Sequence, residues 1–279
     1  MPFILCVLRA SVVSSIFSAR LPAPMKILAI DVGNTHTVLG VYDGVTLLDH
    51  WRIETSEGRT SDEYVVLIRG LLSGPEGVEI GGVALSCVVP PMTRVILSVC
   101  RKLFGLEALV VGPGVRTGMP ILYDKPQEVG ADRIVNAIAA YERTKDTTIV
   151  VDFGTTTNFD YVTAKGEYVG GVICPGLGIS AQALFARAAK LYEVELVRPK
   201  GVIGRNTVHA VQSGLIYGHV AMIDGIVERI QQENHVKAKV WATGGLAPLM
   251  AEESRTIEIV DEYLTLDGLR LIFERNHEN

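Results

Sequence analysis

KILAIDVGNTHTVLGVYD, residues 26–43, and TIVVDFGTTTNFDYV, residues 148–162, share one pattern. In each, an apolar strand ends in Asp-x-Gly followed by small polar residues: Asp31-Val32-Gly33-Asn34-Thr35 first, then Asp152-Phe153-Gly154-Thr155-Thr156. A second apolar strand then returns beside the first. Asp-x-Gly at a strand end is also a common hairpin turn, and its Asp and Thr side chains often only satisfy local backbone groups. One copy alone would carry little, but two aligned copies, 121 residues apart, indicate an internal repeat.

The flanking sequence extends that repeat. Residues 26–31, 37–43 and 46–53 read as strands with a hairpin turn at Asp43-Gly44, followed by a helix over 61–72. A buried strand over 82–89 stops at Pro90-Pro91; a helix through Phe104, a strand over 108–111 and a Gly/Pro-rich connection over 112–120 follow. After a helix over 131–143 the opening pattern returns, with strands over 148–153, 158–163 and 167–173. A helix from Gly176 to about Lys190, a long helix over 206–232, strands over 239–243 and 256–260, and an amphipathic helix complete the chain. The expected fold is α/β: a duplicated ribonuclease-H-like architecture of the actin/hexokinase type. Its two lobes, residues 25–144 and 145–279, face each other across an inter-domain cleft.

Such a cleft suits a triphosphate. Gly33 leaves no Cβ in a ligand's way, and the N–H groups and hydroxyls of Asn34, Thr35 and Thr37 point to phosphate oxygens. Asp31 can hold a hydrated Mg²⁺, and Asp152 with Thr155, Thr156 and Thr157 repeats the arrangement. Thr243-Gly244-Gly245, a strand running into Gly-Gly, suits close approach to a nucleobase or ribose. At the acceptor end stands Gly130-Ala131-Asp132-Arg133, opening a helix. Asp132 is either a base for a hydroxyl proton or a first-turn acid that complements the helix dipole. Arg133 can pair with an anionic group on a substrate. These four residues alone do not decide between the two roles of Asp132.

Composition narrows the alternatives. A chain of 279 residues with 48% hydrophobic and 20% charged residues is a soluble globular protein rather than a fibrous or disordered one. Net charge is −5, so no overall basic field would hold a nucleic-acid backbone. No apolar run reaches the ~20 residues needed to span a bilayer, so no membrane partner is expected. Cys6, Cys87, Cys100 and Cys174 form no C-x-x-C pair, and the six histidines do not cluster. Reduced thiols in a cytoplasm fit this better than a disulfide framework or a zinc site. Residues 1–24 hold Arg9 and Arg20, no acidic residue and a Pro-x-Pro break before Met25. They read as an N-terminal extension, disordered or preceding a functional start at Met25; an organelle-targeting segment is the alternative.

Taken together, MKILAIDVGNTHTV, SCVVPP, YDKPQEVGADRIVNA, VVDFGTTTNFDYV, GGVICPGLGISAQAL, GRNTVHAVQSG and ATGGLAP resemble the type III pantothenate kinases over nearly all of 25–279. The resemblance implies an ATP-dependent kinase acting on pantothenate, usually a homodimer, with Mg²⁺ and a monovalent cation, K⁺ or NH₄⁺. It implies that Asp31, Val32, Gly33, Asn34, Thr35, His36, Thr37 and Val38 form the first ATP loop, with Thr155 reaching ATP from the second. It makes Asp152 a cation ligand and Asp132 the general base. It places Tyr123, Gly130, Ala131, Asp132, Arg133 and Thr207 around pantothenate. The family's second loop usually reads close to DFGTATTFD, so Thr156 and Asn158 are departures here. Two other functions share these motifs: a non-catalytic regulatory relative of the same fold, and a kinase for another small alcohol. Turnover, nucleic-acid binding and a panel of acceptors separate the three.

Overall fold

The computed structural model describes residues 25–73 and 79–277; the reading of residues 1–24 as an extension lies outside them. Two five-stranded sheets are built from β1 (Ile27–Val32), β2 (His36–Asp43), β3 (Thr46–Glu54), β4 (Gly82–Cys87) and β5 (Leu109–Val110), and from β6 (Thr148–Phe153), β7 (Thr156–Val162), β8 (Tyr168–Pro175), β9 (Lys239–Thr243) and β10 (Ile259–Val260). The strand orders are β3-β2-β1-β4-β5 and β8-β7-β6-β9-β10, one topology used twice. In each sheet the Asp-bearing strand runs antiparallel to the next strand and parallel to the fourth. This is the duplicated actin/hexokinase-type fold.

The repeat is not gapless. Val32 pairs with Thr37, whereas Phe153 pairs with Thr157, so the second loop is one residue shorter. Beyond the glycines, then, the simple match of Asn34-Thr35 with Thr155-Thr156 slips by one. With that slip included, the bulge between Val41 and Tyr42 falls at the same place as the bulge between Tyr161 and Val162. Strand β10 covers only Ile259–Val260, shorter than the expected 256–260, because Glu258 and Asp261 make the flanking bonds to β9 outside a regular ladder.

Helices cover both faces of each sheet. α1 (Ser61–Leu72) and α2 (Pro90–Phe104) bury Tyr64, Ile68, Met92 and Ile96 against Leu28, Ile30, Val83 and Leu85. A capping box starts α1: Thr60 Oγ1 accepts from Glu63 N, and Thr60 N donates to Glu63 Oε2 at 2.7 Å. Pro90-Pro91 and left-handed Gly105 bound α2, at the positions where each residue suits a helix end. On the second sheet, α4 (Leu177–Arg187), α5 (Thr207–Asn234) and α6 (Ala247–Ala251) close a core around Ile149, Val151, Phe159 and Val240.

The two inner faces share α3 (Ala131–Thr144) and α7 (Leu264–His277). These helices pack on each other; α3 leans on β6 and β7, while α7, from the far end of the chain, leans on β1 and β4. Each half of the chain therefore lends a helix to the other half's sheet.

The expectation that no stretch is apolar enough to span a bilayer needs an amendment. By length and composition alone α5 passes that test, with a mean hydropathy of 1.2. It is a core helix here: Ile216, Val220, Ile223 and Val227 are buried. Asp224 in its middle accepts from the hydroxyls of Ser254 at 2.6 Å and Thr256 at 2.7 Å, so this buried acid is satisfied.

Candidate active site

Strand alternation decides which way the motif aspartates face. Asp31 shares a face with Ile27 and Ala29, and Asp152 with Val150, which are the faces lined by α3 and α7. The two loops meet there: Thr35 Oγ1 and Thr155 Oγ1 are 3.2 Å apart. Asn34, Thr35 and His36 are exposed, and among the described residues the N–H groups of Asn34 and Thr35 donate to no backbone carbonyl. Free amides and hydroxyls converging from two sheets are donors of the kind that can hold phosphate oxygens.

Two expected loop residues do otherwise. Val32 is fully buried in the core. Thr37 is fully buried too, and its hydroxyl lies 2.9 Å from that of Thr55, tying β2 to the end of β3 instead of facing a phosphate. Thr157 repeats this in the second sheet, 2.9 Å from Nε2 of His219 on α5, whose imidazole burial holds below its ordinary pKa. Val38, directly across from Asp31, is half-buried.

The loop glycines are there for room. Neither Gly33 nor Gly154 has a positive φ. Gly244 differs: φ is +89°, and an added Cβ would stand 2.5 Å from Phe153 O. Thr243-Gly244-Gly245 is thus pressed against the second loop. Arg52 of β3 reaches across from the first sheet to within 3.0 Å of where a Gly245 Cβ would be. Sequence reasoning missed Arg52, since a single Arg in an exposed strand gives no pattern.

Three carboxylates share the cleft without a basic partner: among the described residues no Lys, Arg or His forms an ion pair with Asp31, Asp132 or Asp152. Burial, with repulsion from Asp132, pushes Asp31 up to about 7, while Ser86 pulls it back. Ser86 is the register partner of Asp31 on β4, and its fully buried hydroxyl has no aligned hydrogen-bond partner among the described residues. Burial, with repulsion from Asp132 and then Asp31, pushes Asp152 up to about 8. Burial also raises Asp132. No three His, Cys, Asp or Glu side chains among the described residues stand close enough to hold one metal. Any cation here takes one or two carboxylates, with phosphate and water oxygens completing its shell.

A pH dependence follows. A raised acid keeps its proton in the folded state at pH values where the unfolded chain has lost it. The stability that these protons contribute is complete below about 4 and declines as pH rises through about 7 and 8. Ligand-free protein should therefore lose melting temperature between pH 6 and pH 8.5, with Asp152→Asn losing less. A wild-type curve no steeper than that of Asp152→Asn would refute this.

The acceptor end is built on α3. Gly130 is the helix N-cap, and a Cβ there would sit 2.5 Å from Asp132 Oδ1. Asp132 is therefore not the cap, although its Oδ1 accepts from Arg133 N at 2.8 Å, satisfying one free first-turn amide. Arg133 departs from expectation. Its side chain is buried, with Nε 2.9 Å and Nη2 2.7 Å from Oδ1 of Asp160, to which Tyr168 also donates at 2.7 Å. The guanidinium serves as counter-charge to a buried acid on β7 rather than facing solvent. Tyr123 is part-exposed and lies beside Gly170, near Tyr168. Ala131 is half-buried. Thr207, at the start of α5, is exposed, and among the described residues no side-chain hydrogen bond ties it to the rest of the site.

Asn136 was not foreseen. It is fully buried one turn after Asp132, and its Nδ2 donates to Asp152 Oδ2 at 3.2 Å. The two departures in the second loop pair with each other: Thr156 Oγ1 donates to Asn158 Oδ1 at 3.1 Å. A separate hollow of ≈ 470 Å³, lined by Arg143, Lys239 and Trp241, opens at the other end of β6 and shares none of these residues.

Comparisons with known proteins bear on the fold and the family. Among solved structures, a conserved putative Baf family transcriptional activator from Campylobacter jejuni superposes with a TM-score of 0.58 at 18% identity, covering 89% of this chain and 98% of that one. MreB 5 of Spiroplasma citri bound to AMPPNP gives 0.51 at 10% identity, covering 91% and 97%. At such identities these matches speak to the fold alone. A type III pantothenate kinase of Myxococcus xanthus is 58% identical over 253 residues, covering 90% of this chain and 99% of that protein. The family profile described as type III pantothenate kinase matches residues 27–229. The chain belongs to the type III pantothenate kinase family.

Proposed function

We propose that this protein transfers the γ-phosphoryl group of ATP to the primary hydroxyl of pantothenate, giving ADP and 4′-phosphopantothenate in the first committed step of coenzyme A synthesis. The observation that carries this reading is the meeting of Thr35 and Thr155 beneath an inward-facing Asp31, Asp132 and Asp152. The 58% identity to a protein named for that reaction supports it. Residues 31–38 and Thr155 grip the triphosphate, with backbone amides and exposed hydroxyls as donors and Thr37 acting through the fold. Thr243-Gly244-Gly245 and Arg52 flank the nucleoside.

Asp132 takes the proton of the attacking hydroxyl. The alkoxide oxygen bonds to the γ-phosphorus as the bond to the β-phosphate oxygen breaks, and ADP leaves. Tyr123 and residues 130–133 surround pantothenate together with Thr207. Arg133 fixes the start of α3 through Asp160. Crowded carboxylates without basic partners fit cations: Mg²⁺ at Asp31, K⁺ or NH₄⁺ at Asp152. When bound, these ions neutralise phosphate charge and favour the ionised carboxylates. Lobes 25–144 and 145–279 make up the cleft.

Gly214, Gly218 and Gly225 on α5 face open space, which suits a homodimer. The free thiols Cys87, Cys100 and Cys174 suit a cytoplasmic protein. Purified protein should release ADP only when pantothenate is added, and faster with K⁺ than with choline at equal ionic strength. No turnover would remove the kinase reading, and DNA retardation in its place would favour a regulator. ADP release with another alcohol only would move the substrate.

A further inference from the structure

Asn136 is the polar residue that the reaction leaves unexplained. It is fully buried in the middle of α3, between Val135 and Ala137, where an amide needs partners to be tolerated. It has two. Thr265, in the first turn of α7, donates its hydroxyl to Asn136 Oδ1 at 2.7 Å, and Asn136 Nδ2 donates to Asp152 Oδ2 at 3.2 Å. The ionised Asp152 carboxylate, which can only accept, fixes the sense of the amide: the NH₂ faces it, and Oδ1 is left to accept from Thr265, whose hydroxyl can take either role. The opposite flip would set two oxygens against each other.

We propose that Asn136 is a positioning residue for the Asp152 carboxylate, anchored on its far side by Thr265, and that this relay sets the affinity of the cleft for its monovalent cation. The inference rests on the reading of Asp152 as that cation's ligand. One carboxylate oxygen, Oδ2, is bonded by the amide, and no side-chain hydrogen bond among the described residues engages the other. Thr265 also makes the relay a bridge, because α7 lies on the first sheet and Asp152 belongs to the second. Partners of this kind, bonded to a ligand rather than to the metal, typically alter metal affinity by 10–100-fold when removed.

The test measures the rise in melting temperature caused by KCl over choline chloride at fixed ionic strength, with Mg²⁺ and a non-hydrolysable ATP analogue present. K⁺ activation of turnover is recorded alongside. Asn136→Ala should need about ten-fold more K⁺ for half the rise, with kcat at saturating K⁺ within a few-fold of wild type. Thr265→Val should shift the midpoint in the same direction by less, and Thr265→Ser should restore it. If Asn136→Ala does not fold, Thr265→Val, which removes one hydroxyl, decides the matter. A wild type that responds to K⁺ beside variants responding at the same concentrations overturns the relay alone. A wild type indifferent to K⁺ overturns the cation reading of Asp152 and the relay with it.

Discussion

Asp132→Asn should fold, bind Mg·ATP with near-normal affinity, and lose kcat by roughly 10²–10⁴, the usual range for removing a general base. The substitution isolates the proton. An asparagine keeps an Oδ1 able to accept from Arg133 N, the one hydrogen bond that Asp132 makes at 2.8 Å, so the first turn of α3 is preserved. What is lost is the second oxygen, which has no hydrogen-bond partner among the described residues and in the proposed mechanism takes the proton from the substrate. Burial raises the affinity of Asp132 for that proton and so improves it as a base. A second readout guards against misreading. Asp132 repels Asp31 and Asp152, so the amide should ease their ionisation and move the pH-dependent loss of melting temperature to lower pH while turnover falls. Turnover within a few-fold of wild type would leave Asp132 as a helix-start residue only.

The sequence carried the duplication because both motifs sit on strands whose apolar runs are unmistakable, and strand order follows from repeating one unit. The gathering of Asp31, Thr35, Asp132, Asp152 and Thr155 in one cleft was legible, since each is a polar residue interrupting an apolar pattern at a strand or helix end. Direction was not legible. Whether Arg133 faces substrate or core depends on the phase of α3 against β7 and on Asp160, a residue that reads from sequence as one more polar position in a strand. Thr37 is a second case: its place opposite Val32 turns its hydroxyl into the sheet toward Thr55, as the equivalent place turns Thr157 toward His219.

Asn136 left a faint signal. It lies four residues after Asp132, on a helix whose neighbouring positions, Val135, Ala139 and Ala140, are buried, and a buried amide on such a stripe calls for a partner. Its partners come from β6 and α7, and no local spacing announces them. The exchange of α3 and α7 between sheets was hidden likewise. An amphipathic pattern tells that a helix packs, not which of two similar sheets receives it.

The largest loss of stability is expected at Asp160. Its carboxylate is fully buried, paired with Arg133 and bonded by Tyr168 at 2.7 Å. Burial pushes Asp160 up to about 6 against the pull of Arg133 and Tyr168, so the pair is ionised at pH 7. Asp160→Ala would strand a guanidinium that cannot discharge and a phenol whose acceptor is gone. Removing one partner of a buried pair costs about 3–5 kcal/mol, which in a chain of this size lowers the melting temperature by about 10 °C. Asp160→Asn keeps an acceptor for Tyr168 and should lose less. Arg133→Met in the Asp160→Ala background should recover part of the loss, because no charge is then left buried alone. The same change reaches the chemistry, since Arg133 follows Asp132 and anchors the turn that presents it. Activity of Asp160→Ala should therefore fall at temperatures where circular dichroism still reports a folded protein. An Asp160→Ala protein within about 1 kcal/mol of wild type by urea denaturation would mean that water reaches the pair and screens it, and that Arg133 is free to turn toward the substrate after all.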